Sequence, residues 1–181
     1  MLTPGECAAF AEFERNNREP FEHFNEPKPA GYYSEAGMEQ AFDKLLARQH
    51  PQRHLTRVLT VAGSTHWVGK GSLTVHRGGS GEFARLVYQT DRLHWRQGAA
   101  RALLDALIHE ANALDLPRVD ALIASDNTVS LHLLRRAGFK VAGWSSPAAL
   151  LRGPIDCLQL SRSLRSAVGL ALARTHMHLP A

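Results

Sequence analysis

Between Leu55 and Thr90 the chain alternates apolar and polar residues in three short runs, LTRVLTVA (55–62), WVGKGSLTVH (67–76) and FARLVYQT (83–90). A two-residue period belongs to a strand buried on one face. The links between the runs are short and glycine-rich, at Gly63-Ser64 and at Gly78-Gly79-Ser80-Gly81. Such links join antiparallel neighbours, so the middle of the chain predicts a three-stranded meander.

Helical spacing lies on either side. Residues 4–18 read as a helix with Ala9, Phe10 and Phe13 on one face and Pro4 in its first turn. Residues 19–34 carry Pro20, Pro27, Pro29 and Gly31 and are expected to be irregular. The same stretch holds Phe21, Phe24, Tyr32 and Tyr33, which argue against disorder and for a functional loop. A second helix runs from Ser34 or Glu35 to Gln49, stopped by Pro51. After the meander, Ala99, Leu103, Leu107, Ala111 and Leu114 mark one face of a helix over Arg96–Leu114. Arg118–Ala124 reads as a buried strand, Thr128–Ala137 as a short helix, and Phe139–Trp144 and Ile155–Ser161 as strands. Asp126 or Asn127 can cap the short helix, and Gly138 suits the left-handed residue after it. Leu164, Val168 and Leu172 allow one more helix in the tail. This order predicts an α/β (α+β) sheet with helices on its faces.

A chain of 181 residues fits one domain, and 44% hydrophobic with 21% charged residues suits a globular protein. No apolar run approaches the ~20 residues that span a bilayer. The N-terminal MLTPGECAAF has no signal-peptide pattern, so a cytoplasmic protein without membrane contact is expected. Cys7 and Cys157 are far apart and predict free thiols. A net charge of +4 favours an anionic ligand such as a nucleotide-bearing cofactor. The basic residues are scattered and not interleaved with aromatics, which gives no case for nucleic acid. The ten histidines form no HExxH, and no metal site is expected.

The chemistry sits where the third strand meets the next helix. Gly98, Ala99 and Ala100 are small enough to let a phosphate approach the main chain at a helix start, where the dipole favours an anion. There is no GxxxxGK[ST] loop and no GxSxG elbow, and the GGSG run lies between strands.

The run RQGAARALLDAL resembles the acyl-CoA loop and helix of GNAT acetyltransferases, whose pattern is [QR]-x-x-G-x-[GA]. About thirty residues later, SDNTVSLHLLRRAGFKVAG resembles that superfamily's last helix and strand. FERNNREPFEHFNEP, the meander and WSSPAALLRGPIDCLQLS extend the resemblance toward the ribosomal-protein alanine acetyltransferases (RimJ/RimL-like), over roughly residues 4–162. The resemblance implies a GNAT fold: a mixed sheet with splayed central strands and helices on both faces. The domain would span residues 1–163, followed by a tail at 164–181. The family's first strand is largely missing, so an exposed sheet edge would be covered by the tail or by a second subunit in a homodimer.

The activity so implied is transfer of an acetyl group from acetyl-CoA to a primary amine. Main chain at Leu86, Val87 and Tyr88 would hold the pantetheine arm. Arg96, Gln97, Gly98, Ala99, Ala100 and Arg101 would hold the pyrophosphate, with Arg136 as a further phosphate contact. Asn127 and Ser130 would lie near the thiol. Phe21, Phe24, Tyr32, Tyr33 and Glu35 would wall an acidic, aromatic acceptor mouth. Several positions depart from the family: Trp95 and Arg96 open the loop, Leu134 replaces a common tyrosine acid, and Arg85 stands where some relatives have a glutamate base. Ser130 is the candidate proton donor, and Tyr88, Glu35 or an ordered water the candidate base. An α-amine, with a pKa near ~8 against ~10.4 for lysine, is the easier acceptor for a site with a weak base. A protein N-terminus is therefore expected, with a small-molecule amine or a non-catalytic acyl-CoA-binding role as alternatives.

Overall fold

The computed structural model describes residues 2–78, 81–150 and 153–164. The N-terminal layer has three helices. A 3-10 turn at Pro4–Glu6 leads into α1, Cys7–Asn16, and the Glu6 carboxylate accepts the Thr3 N–H at 2.7 Å. Helix α2, Arg18–Phe24, occupies part of the stretch expected to be irregular. Pro20 is no obstacle there, because a first-turn residue has no helical acceptor for its N–H. An Arg18–Glu22 pair four residues apart supports the helix, and Phe21 anchors it against Phe13 with ring centroids 5.2 Å apart. The proline count hid a helix that tertiary packing stabilises. Helix α3, Glu35–Arg48, starts where Ser34 Oγ accepts the Gly37 N–H at 3.1 Å.

The meander follows as β1, His54–Thr60, β2, Trp67–Gly78, and β3, Gly81–Thr90. Then come α4, Ala99–Ala113, β4, Arg118–Ala124, and α5, Thr128–Arg136. Strands β5, Lys140–Leu150, and β6, Gly153–Ser163, both run longer than the sequence suggested. Mutual hydrogen bonding in this hairpin carries pairing past the ends of the apolar pattern. The C-terminal signal after α5 holds: Gly138 has φ +85°, and the Phe139 N–H donates to Leu134 O at 3.0 Å. Most of the proposed tail lies outside the described residues.

The sheet order is β1-β2-β3-β4-β6-β5, which leaves β1 and β5 at the edges. All neighbours are antiparallel except β3 and β4. Those two are parallel and pair only at Ala84 with Val119 and Arg85 with Asp120. Beyond Arg85 the strands part, and the sheet splays toward their carboxyl ends.

Two clusters fill the two faces. Leu73 packs with α4 and α5 in a mainly aliphatic core that includes Leu86, Leu104, Leu107, Leu134 and Leu160. Lys70, of opposite parity on the same strand, faces Phe10 and Phe13 of α1. That second core is aromatic, with Phe10, Phe13, Phe21, Phe42 and Trp67.

Candidate active site

Strands β3 and β4 run parallel and each hands over to a helix, so α4 and α5 both begin at the open end of the splay. Open sheets bind ligands at such a point, outside the carboxyl ends of diverging strands.

Helix α4 starts at Ala99, three residues later than its apolar spacing suggested. The delay comes from Asp91, whose side chain caps a 3-10 turn at Arg92–His94. The chain then turns through two left-handed residues, Arg96 with φ +61° and Gly98 with φ +87°. Gly98 adopts that conformation without a Cβ penalty, whereas an arginine there is uncommon and marks a constrained loop. As N-cap, Gly98 has no side chain to satisfy the helix. The N–H groups of Ala99, Ala100 and Arg101 thus lack helical acceptors and point out along the dipole. A cleft of about 260 Å³ lies beside them, lined by Leu59, Val68, His94, Gln97, Gly98 and Ala102. Arg96 and Gln97 are exposed. Arg101 is half-exposed and pairs with Asp105 at 2.7 Å, which raises its pKa.

Past the last β3–β4 pair, Leu86 turns its side chain into the core while Val87 is 54% exposed on the opposite face. Tyr88 packs against the aliphatic core beside Ser130, in the first turn of α5. Its hydroxyl is buried and makes no hydrogen bond of good geometry. Burial pushes the phenol up, and Ser130 offsets part of that shift. A phenol that is neutral at pH 7 can donate a hydrogen bond, and Tyr88 stands beside Ser130 in a position to do so. Asn127 caps α5, its Oδ1 accepting the Ser130 N–H at 3.1 Å. Leu134 is fully buried in the same core. Arg136 is exposed in the last turn of α5, about two and a half turns from the cap.

On the other face the expected acceptor wall divides. Phe21 is 5% exposed and belongs to the aromatic core, so it offers no wall. Phe24 is half-buried, and Glu35 is exposed at the start of α3. Tyr32 donates its hydroxyl to Glu14 at 3.3 Å, and Lys28 sits 4.8 Å from its ring centroid. Arg18 covers Tyr33 at 4.6 Å, and Arg15 Nε donates to the Tyr33 carbonyl at 3.1 Å. Burial and neighbouring carboxylates push both phenols well above their usual range. Of the carboxylates here, Glu22 pairs with Arg18 and Glu14 with Lys70, while Glu35 is exposed. A cleft of about 460 Å³ here carries Arg15, Arg18 and Arg92 as well as Glu19 and Glu22.

Two features escaped the sequence reading. Glu14, 1% exposed, pairs with Lys70 beneath the aromatic core. Asn17, also 1% exposed, accepts the Arg92 N–H at 2.8 Å and so ties α1 to the turn before α4. Their partners lie 56 and 75 positions away in the chain, beyond the reach of local spacing.

A splayed parallel pair and an uncapped, glycine-led helix thus meet at one sheet end, and a family sequence profile covers most of the chain that builds them. That profile, described as Acetyltransferase (GNAT) domain, matches residues 1–140. The chain belongs to the GNAT acetyltransferase family. The fold of this acetyltransferase is shared by the ribosomal-protein-S5-alanine acetyltransferase from Vibrio fischeri, at 16% identity, covering 90% of each chain with a TM-score of 0.79. RimJ of Mycobacterium smegmatis, in complex with CoA-disulfide, is 20% identical over 96% of this chain and 87% of that one, with a TM-score of 0.74. The putative acetyltransferase yncA from Salmonella typhimurium, with its cofactor acetyl-CoA, is 20% identical over 91% of each chain, with a TM-score of 0.72. No curated protein matches the chain at a significant level. Among the described residues, no helix is long and apolar enough to cross a membrane.

Proposed function

We propose that this N-acetyltransferase uses acetyl-CoA to acetylate the α-amine of a protein or peptide N-terminus. The carrying observation is the start of α4, an uncapped helix end led by Gly98 at the mouth of the splay. The N–H groups of Ala99, Ala100 and Arg101 fit a pyrophosphate, and the exposed Arg96 adds positive charge. Main chain of residues 86–90, released from β4, fits the amide-bearing pantetheine arm. Acetyl-CoA supplies an activated thioester carbonyl.

Tyr88 and Ser130 fit the departing thiolate. The phenol is protonated at neutral pH and lies beside the serine, so it can deliver a proton where Leu134 cannot. Arg85 is exposed on β3 and leaves that position without a carboxylate base. An acceptor that is partly neutral at pH 7 suits this site, which favours an α-amine over lysine. Known relatives of the same fold include ribosomal-protein alanine acetyltransferases, which supports a protein acceptor.

The test is thiol release from acetyl-CoA with alanine- and serine-initiated peptides, lysine side-chain peptides and small amines. Peptides with free α-amines should turn over fastest. Tyr88→Phe should lower kcat by about a hundredfold, the scale of a general acid, with little change in acetyl-CoA affinity. Faster turnover of lysine or small amines would replace the acceptor assignment, and acetyl-CoA binding without any turnover would replace catalysis by a binding role.

A further inference from the structure

Three side chains remote in sequence meet at the end of β3. Asp91 is 2% exposed. Its Oδ1 accepts the Leu93 N–H at 3.4 Å, while Oδ2 lies 2.7 Å from His94 Nδ1 and 3.5 Å from His66 Nε2. The three donor atoms all fall within 4.8 Å of one another. His66 and His94 remain partly open to solvent, with side chains 30% and 26% exposed. We propose that His66, Asp91 and His94 form a binding site for a divalent transition-metal ion, zinc fitting the donor set best.

Zinc holds imidazole nitrogens and carboxylate oxygens at about 2.0–2.2 Å in a tetrahedral shell, so its ligand atoms stand roughly 3.3 Å apart. The two separations from Asp91, 2.7 and 3.5 Å, bracket that value, and the two imidazole nitrogens lie within 4.8 Å of each other, so side-chain rotations would bring all three to a common centre. Two imidazoles and one carboxylate suit zinc and its neighbours, whereas magnesium and calcium prefer oxygen alone. An outer-shell partner is close at hand. Glu12 Oε1 lies 3.6 Å from the second nitrogen of His66, Nδ1, within a small side-chain rotation of the hydrogen bond that would leave Nε2 free to ligate. The Leu93 N–H holds Oδ1 of Asp91, leaving Oδ2 as the ligand. Three protein ligands leave the fourth position to water, which the exposure of both histidines permits. The ion would bind α1, the approach to β2 and the turn before α4 into one unit, since Glu12, His66, Asp91 and His94 come from those segments.

The experiment uses the full chain, stripped with a chelator and titrated with zinc, and in parallel with cobalt as a spectroscopic probe. One ion per chain should bind, cobalt should show the intense visible bands of a four-coordinate site, and zinc should raise the melting temperature. His66→Ala and His94→Ala should each weaken zinc by about a hundredfold or more, and Glu12→Gln by about tenfold, as outer-shell changes do. Metal-free circular dichroism and melting of the two alanine variants, matched to the parent, exclude misfolding as the cause. The chain has ten histidines, so the site must be located by variants rather than by stoichiometry alone. Failure to bind zinc at one equivalent, or undiminished affinity in both His66→Ala and His94→Ala, overturns the proposal.

Discussion

The two faces of the sheet are built from different materials. On the α4–α5 face the core is mostly leucine and alanine, and the candidate cofactor site above it is made of main chain, small residues and two hydroxyls. On the α1–α3 face the core is aromatic and holds a buried ion pair, Glu14 with Lys70, with tyrosines locked by arginine and lysine. A site made of backbone groups needs only the right turn and a small residue, so many sequences can build it. A face made of interlocked side chains depends on each partner, and is where one family member can differ from another.

The largest test of that contrast removes one charge from the aromatic face. Burial lowers the Lys70 pKa while Glu14 supports its charge. Glu14→Ala would strand a buried ammonium, and stability in urea should fall by about 3–5 kcal/mol. Replacing both partners by apolar residues should recover most of the loss. If Glu14→Ala melts like the parent, the pair does not hold this face together.

The pH profile assigns titration to the acceptor rather than to the cofactor half. A phenol is protonated through neutrality and burial shifts Tyr88 further upward, so its contribution does not change there. An α-amine with a pKa near ~8 loses its proton in that range, and kcat/KM should rise about fiftyfold from pH 6 to 8. A flat profile in this window would break the division between the halves.

On the aliphatic face, Gly98→Leu should cost about 1–2 kcal/mol of folding stability for a left-handed leucine. Acetyl-CoA affinity, measured by calorimetry, should fall by more than about tenfold, or ~1.4 kcal/mol, because the added side chain stands over the helix N–H groups. Equal affinity in a folded variant would detach the cofactor from α4. The smallest effect belongs to Tyr32→Ala and Tyr33→Ala, expected to raise the acceptor KM by about threefold, on the ~0.7 kcal/mol scale of exposed cation–π contacts, without moving acetyl-CoA affinity. A larger effect on acetyl-CoA than on the acceptor would place the tyrosines on the wrong side of this comparison.

What could be read in the sequence was whatever a local rule dictates. Alternation and short glycine links fixed the meander, and the Ala99-Leu103-Leu107-Ala111 spacing fixed the buried stripe of α4. Asn127 and Gly138 punctuated α5, because caps are set by the geometry of a single helix turn. Gly98 stood out for the same reason: the start of a helix is a local event.

Tertiary structure alone decided the rest. Prolines argued for a loop from residue 19 onward, but burying Phe21 against Phe13 outweighed that local preference and made a helix over Arg18–Phe24. The placing of Ser130 beside Tyr88 required β3 and β4 to part after two registered pairs, a splay that the family resemblance implied but no local residue pattern announces. The tyrosines read as an open mouth, and the fold gave each a cation and turned Phe21 inward. Glu14 with Lys70 and Asn17 with Arg92 meet across 56 and 75 positions. Hydrogen bonds and charges act over a few ångströms, so their partners are chosen by where the chain returns in space and not by their spacing along it.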